Sequence, residues 1–290
     1  MGRIFYLLLI ILIFSSTAIA SQSAITESEG YACMSEDRSK RQTEETALQD
    51  AKKKAVEQVS TYIQSETKVK DFELQHDLVN AYANAKVRII ESKGAWDNEP
   101  PRIGDCYRIK IKAEVVPDEE AMKRISQSKE LDDPTAPLKV NVWTDKKEYR
   151  AGEKVKIYMK GNKPFYARVL YRQADGSLVQ ILPNPYRKDN YFQGGVVYEI
   201  PSGPDRFELE VTPPFGEESI IVYASTGMLG AVDVEPAGGV YKIRTNFDEL
   251  GDKIRGVQIV EKGVQITGNG KSKASEFYET KLSIKTQRER

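Results

Sequence analysis

One segment of this chain carries a sustained helical period, and almost everything patterned after it reads with period two. In TEETALQDAKKKAVEQVSTYIQ (residues 43–64), Ala47, Leu48, Ala51, Ala55, Val59, Tyr62 and Ile63 recur at three- and four-residue steps. That spacing gathers an apolar stripe on one side and lysines and glutamates on the other, which predicts an amphipathic helix. Glu44 and Glu45 are expected in its first turn, where the helix dipole favours acidic side chains. A shorter helix is expected around residues 77–85. CYRIKIKAEVV, by contrast, alternates strictly. Tyr107, Ile109, Ile111, Ala113 and Val115 share one face, and Arg108, Lys110, Lys112 and Glu114 share the other. This is an antiparallel strand with one solvated face. The strand KVRIIESKGAW precedes it, and a brief strand, YACM, stands ahead of the helix after a polar lead, SQSAITESEG. Residues 28–117 therefore read as an α+β domain, a long helix packed on a short antiparallel sheet.

Residues 118–137 are charged and closed by Pro134 and Pro137, and read as a linker. From residue 138 to 286 the chain reads as strands. LKVNVWTD sets Leu138, Val140 and Val142 against Lys139, Asn141 and Trp143. EYRAGEKVKIYMKG turns at Ala151-Gly152 and continues with Val155, Ile157 and Met159 on one face. In FYARVLYRQADGSLVQILPN, Asp175-Gly176 between two apolar runs is a β-hairpin signal. GGVVYEIPSG, RFELEVTPPFG and ESIIVYAS supply three more strands; FDELGDKIRGV reads as one short helix, VQITGNGKSKAS as a loop, and EFYETKLSIKTQ as a last strand. Short strands parted by turn signals predict an all-β sandwich, Ig-like, with one short helix near the C-terminus and a tail at 287–290.

The first twenty residues, MGRIFYLLLIILIFSSTAIA, join a basic residue, an apolar run and a small-x-small site at Ala18-Ile19-Ala20. That is the pattern of a secretory signal peptide cleaved after Ala20. The apolar run is short of the roughly 20 residues a membrane span needs. Ser21 would be the new N-terminus, where a lipid anchor would require cysteine. An exported chain with two cysteines, Cys33 and Cys106, is expected to join them as a disulfide. Lysine plus arginine equals aspartate plus glutamate, at 43 each, which leaves no electrostatic footprint for nucleic acid.

Catalytic and metal chemistry find little footing. One histidine, His76, and two cysteines cannot build an ordinary Cys/His zinc site. No G-x-S-x-G surrounds a serine, and His76 beside Asp77 reads as a helix-start residue rather than a base. GNGKSK (268–273) mimics the end of a phosphate-binding loop, but Gln265 stands where the pattern needs glycine. Glu217-Glu218 and Asp132-Asp133 read as solvated turn charges. The expectation is no enzyme, no cofactor and no metal.

The ordered set Tyr149-Arg150-Ala151-Gly152-Glu153, Phe165-Tyr166, Asp175-Gly176 and Leu182-Pro183-Asn184, followed by YEIPSG, ELEVTPPFGEESIIVYAS and IRGV, resembles a bacterial family of domains of unknown function, number forty-three eighty-four. The likeness spans roughly residues 138–286 and implies an all-β, envelope-associated domain without established catalytic residues. In the front half, the short strand, ALQDAKKKAVEQV and YRIKIKAEV are similar to the N-terminal domain of flagellar assembly protein T and related envelope lipoproteins. The lipid-attachment cysteine of the latter has no counterpart here.

The second half is rich in tyrosine. If Phe165, Ala167, Val169 and Tyr171 point inward, Tyr166, Arg168, Leu170 and Arg172 point outward as a row with hot-spot composition. Tyr186, Arg187 and Lys188 follow on a loop stiffened by Pro183 and Pro185. These residues are the expected binding positions. The chain reads as a periplasmic or cell-envelope accessory protein, an interaction module for other envelope proteins. The alternative is a module that binds cell-wall glycan.

Overall fold

The computed structural model describes residues 19–66, 72–97, 105–122, 133–256 and 274–289. Most of the expected signal segment, much of the 118–137 linker, and GNGKSK lie outside the described residues.

Helix α1 (Lys40–Glu66) is the long helix, but it begins at Lys40 rather than Thr43. Ser39 starts it. Its hydroxyl accepts the Gln42 N–H at 3.3 Å, and its own N–H donates to Gln42 Oε1 at 2.9 Å, a reciprocal cap. Glu44 and Glu45 consequently fall beyond the first turn, which holds no acidic residue, so the expected dipole contribution is absent. Ala47, Ala51, Ala55, Val59 and Ile63 are its buried stripe. Helix α2 (Phe72–Ala83) starts ahead of Asp77 and adds Leu78, Ala81 and Tyr82 to the same core.

The polar lead is a strand. β1 (Ile19–Cys33) takes in all of SQSAITESEG as well as the cysteine. Its small residues are the reason composition concealed it. Ala24, Thr26, Ser28 and Ala32 lie buried under α1, whose alanine stripe lets helix and sheet approach closely. Ser28 Oγ donates to the Ala51 carbonyl at 2.8 Å, and a Cβ at Gly30 would stand 1.8 Å from the Ala47 carbonyl oxygen. A larger residue there would push the helix away. β1 pairs antiparallel with β3 (Cys106–Val116), and β3 with β2 (Lys86–Asp97). Cys33 stands directly opposite Cys106, and the two form the expected disulfide, with Cα atoms 3.9 Å apart.

The second half contributes β4 (Val140–Thr144), β5 (Glu148–Arg150), β6 (Ile157–Gly161), β7 (Phe165–Arg172), β8 (Leu178–Leu182), β9 (Tyr191–Phe192), β10 (Tyr198–Ile200), β11 (Glu217–Ser225), β12 (Val234–Ala237), β13 (Val240–Ile243), α3 (Phe247–Gly256) and β14 (Ser275–Gln287). β4, β6 and β10 form a separate three-stranded sheet. The other strands build one long sheet in the order β12-β13-β8-β7-β11-β14-β1-β3-β2, with β9 beside β7 and β5 parallel to β14. The hairpin at Asp175-Gly176 is present. RFELEV is not a strand. It lies beside residues 152–155, with Val155 N–H donating to Leu209 O and Val211 N–H to Glu153 O, and makes one isolated antiparallel bridge, Lys154↔Glu210, before prolines 213 and 214, which carry no N–H to extend it. An unforeseen hairpin, β12–β13, turns on Gly238-Gly239, a turn signal legible in the sequence.

β14 joins the two halves. One edge pairs with β11 from Glu217↔Lys285 to Ser225↔Phe277; the other pairs with β1 from Ile19↔Lys281 to Ile25↔Ser275. One face of the resulting sheet is covered by α1 and α2 over β1 and β3, and by the three-stranded sheet over β7, β11 and β14. The opposite face receives α3, whose Leu250 and Ile254 pack with Leu170, Ile221, Tyr223 and Phe277. The end of the linker is docked as well. Asn162 Nδ2 donates to the carbonyls of Asp133, Ala136 and Pro137, and Glu276 accepts the Leu138 N–H and pairs with Lys163 at 2.9 Å.

A strand shared edge to edge should make the halves unfold together. The chain has two tryptophans, and each half has one: Trp96 on β2 and Trp143 on β4. Trp96→Phe and Trp143→Phe variants, each followed by the fluorescence of the remaining tryptophan, are expected to give coincident urea midpoints. Separate midpoints would show that the β1–β14 ladder does not couple the halves.

Candidate interaction surface

Strand β7 alternates as its sequence predicts. Phe165, Ala167 and Val169 face the core between the sheets, and Tyr166, Arg168, Leu170 and Arg172 take the other side. That side is not the exposed row expected. Leu170 is fully buried, in the cluster that α3 closes, and Arg168 is 8 % exposed. The chain after β11 returns across this face, a long-range arrangement that alternation within β7 cannot report. Arg172 lies half-buried with its guanidinium 5.0 Å from the Phe247 ring at the start of α3. Tyr166 is half-buried against exposed Tyr191, ring centroids 5.0 Å apart.

Arg168 is the odd member of the row. Its Nε and Nη1 are buried and have no hydrogen-bond partner among the described residues. Burial pulls its pKa down to about 10. Gln180, on β8, is also buried; its Nε2 donates to the Pro183 carbonyl at 2.6 Å, while its Oε1 has no donor among the described residues. Sequence reasoning missed Gln180, which looks like an ordinary outward strand residue.

The loop after β8 is fixed from within. Asn184 is buried and works as a hub. Its Oδ1 accepts the N–H groups of Tyr186 and Arg187 at 2.8 and 2.7 Å, and its Nδ2 donates to the Ile181 carbonyl at 2.8 Å. Arg187 folds back: it pairs with Asp205 at 3.0 Å and lies 5.5 Å from the Phe192 ring. Of the three expected contact residues, Arg187 is thus committed to holding the loop, while Tyr186 and Lys188 are exposed. Tyr186 is 54 % exposed, stacks on Phe207 and lies so close to Gly239 that a Cβ there would stand 2.8 Å from its ring. Burial pushes the Asp205 carboxyl upward, but the Ser202 N–H and hydroxyl together with Arg187 outweigh it and hold the pKa below the usual carboxylate range.

A second aromatic group stands on the outer side of the three-stranded sheet. Trp143 on β4 and Tyr158 on β6 are cross-strand partners, with ring centroids 5.7 Å apart and planes inclined by 15°. The carboxylate pairs resolve into structural parts. Glu218 is buried and accepts the Tyr171 hydroxyl and the Ala174 N–H, and Asp133 accepts the Thr135 N–H and hydroxyl. Asp132 and the His76 side chain lie outside what is described. Among the described residues no cluster of three or more His, Cys, Asp or Glu is placed to hold a metal ion, and no helix is long and apolar enough to cross a membrane.

Residues 148–227 match the profile of a family described as Domain of unknown function (DUF4384). The match takes in β5 to β11, hence the Tyr166–Tyr191 pair, Arg168 and the Asn184 loop. Comparison with curated proteins finds no match, and comparison with solved structures finds none.

The Asp205 contacts have a pH signature. A carboxyl whose folded pKa is depressed stabilises the fold above its unfolded pKa, near 4, and this contribution is lost as pH falls through the lower folded value. Asp205→Asn is expected to cost about 1–3 kcal/mol at pH 7 by urea denaturation. The difference from wild type should shrink steadily below about pH 4. A difference that stays constant down to pH 2 would show that the Asp205 charge does not hold the loop.

Proposed function

We propose that this is an exported, non-catalytic accessory protein of the cell envelope whose second half docks other envelope proteins through the Asn184 loop and the neighbouring tyrosines. The observation that carries this reading is Tyr186. A large aromatic ring is held more than half exposed on a loop whose backbone is fixed by Asn184 and by the Arg187–Asp205 pair. A preorganised aromatic loses little entropy on binding, the economy that interface anchors share. Export is supported by the pattern of the first twenty residues and by the Cys33–Cys106 disulfide, a bond that persists in oxidising compartments. Cleavage after Ala20 would leave the β1–β14 pairs from Ser21↔Glu279 onward. The same reading takes the second half as an Ig-like sandwich; its support is the apolar layer in which Val140, Ile157 and Met159 face Val169, Val222 and Ile284.

A photo-crosslinking residue placed at position 186 should yield discrete adducts in envelope extracts, competed by purified wild-type chain and not by Tyr186→Ala. The same residue at exposed position 53 on α1 serves as control. Adducts no stronger at 186 than at 53 would sink the reading.

The Trp143–Tyr158 pair favours a second reading, binding of cell-wall glycan, because sugar rings lay their C–H faces on aromatic surfaces. Co-sedimentation with insoluble cell-wall polymer, abolished by Trp143→Ala in a variant that keeps its urea midpoint, is the expected result. Failure of the wild-type chain to sediment would remove this reading.

A further inference from the structure

We infer that Arg168 is the receptor of a carboxylate that none of the described residues supplies. A guanidinium stays protonated in proteins, so burying it cannot be relieved by giving up the proton. Its donors need acceptors, and an unmatched buried donor marks a missing partner. Here Nε and Nη1 are buried with no acceptor among the described residues, in a residue that is 8 % exposed. Nη2 is the one guanidinium nitrogen outside that buried, unbonded set. Among the described residues nothing neutralises the charge. Tyr223 stands opposite on β11, Tyr166 and Leu170 flank it along β7, and the shift of its own pKa has burial as its one cause, with no carboxylate contributing.

The charge count selects the ligand class. One guanidinium cation is balanced by one negative charge. A planar carboxylate meets a guanidinium edge with two parallel hydrogen bonds and leaves no net charge; a phosphate dianion would leave one buried negative charge unbalanced. Gln180 Oε1 is the second unmatched group on this side of the sheet, since Gln180 pairs with Leu170 and so shares its face. It calls for a donor, such as the amide N–H next to a peptide's terminal carboxylate or the hydroxyl of a hydroxy acid. The exposed Tyr191 ring against Tyr166, two residues along the same face, offers the surface on which the body of such a ligand would rest. This assignment goes beyond the docking role of the Asn184 loop and does not depend on it, because its test uses small ligands and no envelope protein.

The test follows the arginine side-chain Nε–Hε resonance that disappears in Arg168→Lys. Full-length chain is titrated with sodium acetate, with sodium phosphate and with sodium chloride at matched ionic strength. Acetate is expected to shift this resonance saturably, phosphate less, and chloride without saturation. A tripeptide with a free terminal carboxylate, compared with its amidated form, separates the sources. A tighter response to the free-carboxylate tripeptide than to acetate assigns a chain end, and an equal response assigns a free acid. In thermal melts, acetate relative to chloride should raise the midpoint of wild type and of Arg172→Met, but not of Arg168→Met. Arg168→Lys, which keeps the charge and loses the fork, should bind roughly tenfold more weakly. Identical responses to acetate and chloride, or an acetate effect that persists in Arg168→Met, would overturn the assignment and leave a hydrated arginine only. Should Arg168→Met fail to fold, the wild-type resonance decides alone.

Discussion

The architecture depends on β14 having both edges occupied. A strand inside a sheet satisfies its backbone N–H and C=O groups on two sides, so removing either neighbour exposes a row of unpaired polar groups. Here the neighbours are β11 from the second half and β1 from the first. β1 alone could not stand as an edge. Its side chains are small, and its burial comes from α1 on one face and Ile25 against the α3 cluster on the other. The last strand of the chain thus completes the first, and the helices and the three-stranded sheet arrange themselves on a surface whose continuity that ladder provides.

Buried charge follows the same seam. Glu276 on β14 is 2 % exposed and tied to Lys163 and to the Leu138 N–H, so the point where the linker enters the second half is pinned to the shared strand. On the opposite face Glu114 of β3, also buried, accepts from Ser23, Arg88 and Arg255. Arg255 belongs to α3, continues to Glu279 of β14 at 2.8 Å and lies over the Phe277 ring. Each of these ions is compensated by several partners, which is the condition under which burying charge is tolerated. Arg168, a few strands away on the same face as Glu114, finds no such compensation among the described residues, and the contrast is what singles it out.

Part of this was legible residue by residue. The alanine stripe of α1, the two-face alternation of β3 and β7, the Asp175-Gly176 hairpin and the cysteine pair are present as the sequence predicts, because each is set by a local period, by turn chemistry or by the single pairing that two cysteines allow. The face of β3 expected to be solvated is not wholly so, since Glu114 is buried against Arg255 of α3. β1 was lost because small and polar residues that pack under a close helix look like a solvated lead. RFELEV was over-read because its alternation was satisfied by lying beside residues 152–155 rather than by a ladder.

The candidate site divides in the same way. The sequence by itself determined which side of β7 carries Tyr166, Arg168, Leu170 and Arg172, since successive side chains in a strand must alternate. It likewise determined that the loop of Pro183 and Pro185 would be stiff. Whether that side of β7 meets water was decided only by the tertiary structure, which brings α3 over Leu170, leaves Arg168 enclosed without a counter-charge, and turns Arg187 inward to Asp205 while Tyr186 stays outside. The physical reason is that a strand's period is written in neighbouring residues, whereas what covers its face comes from segments far along the chain.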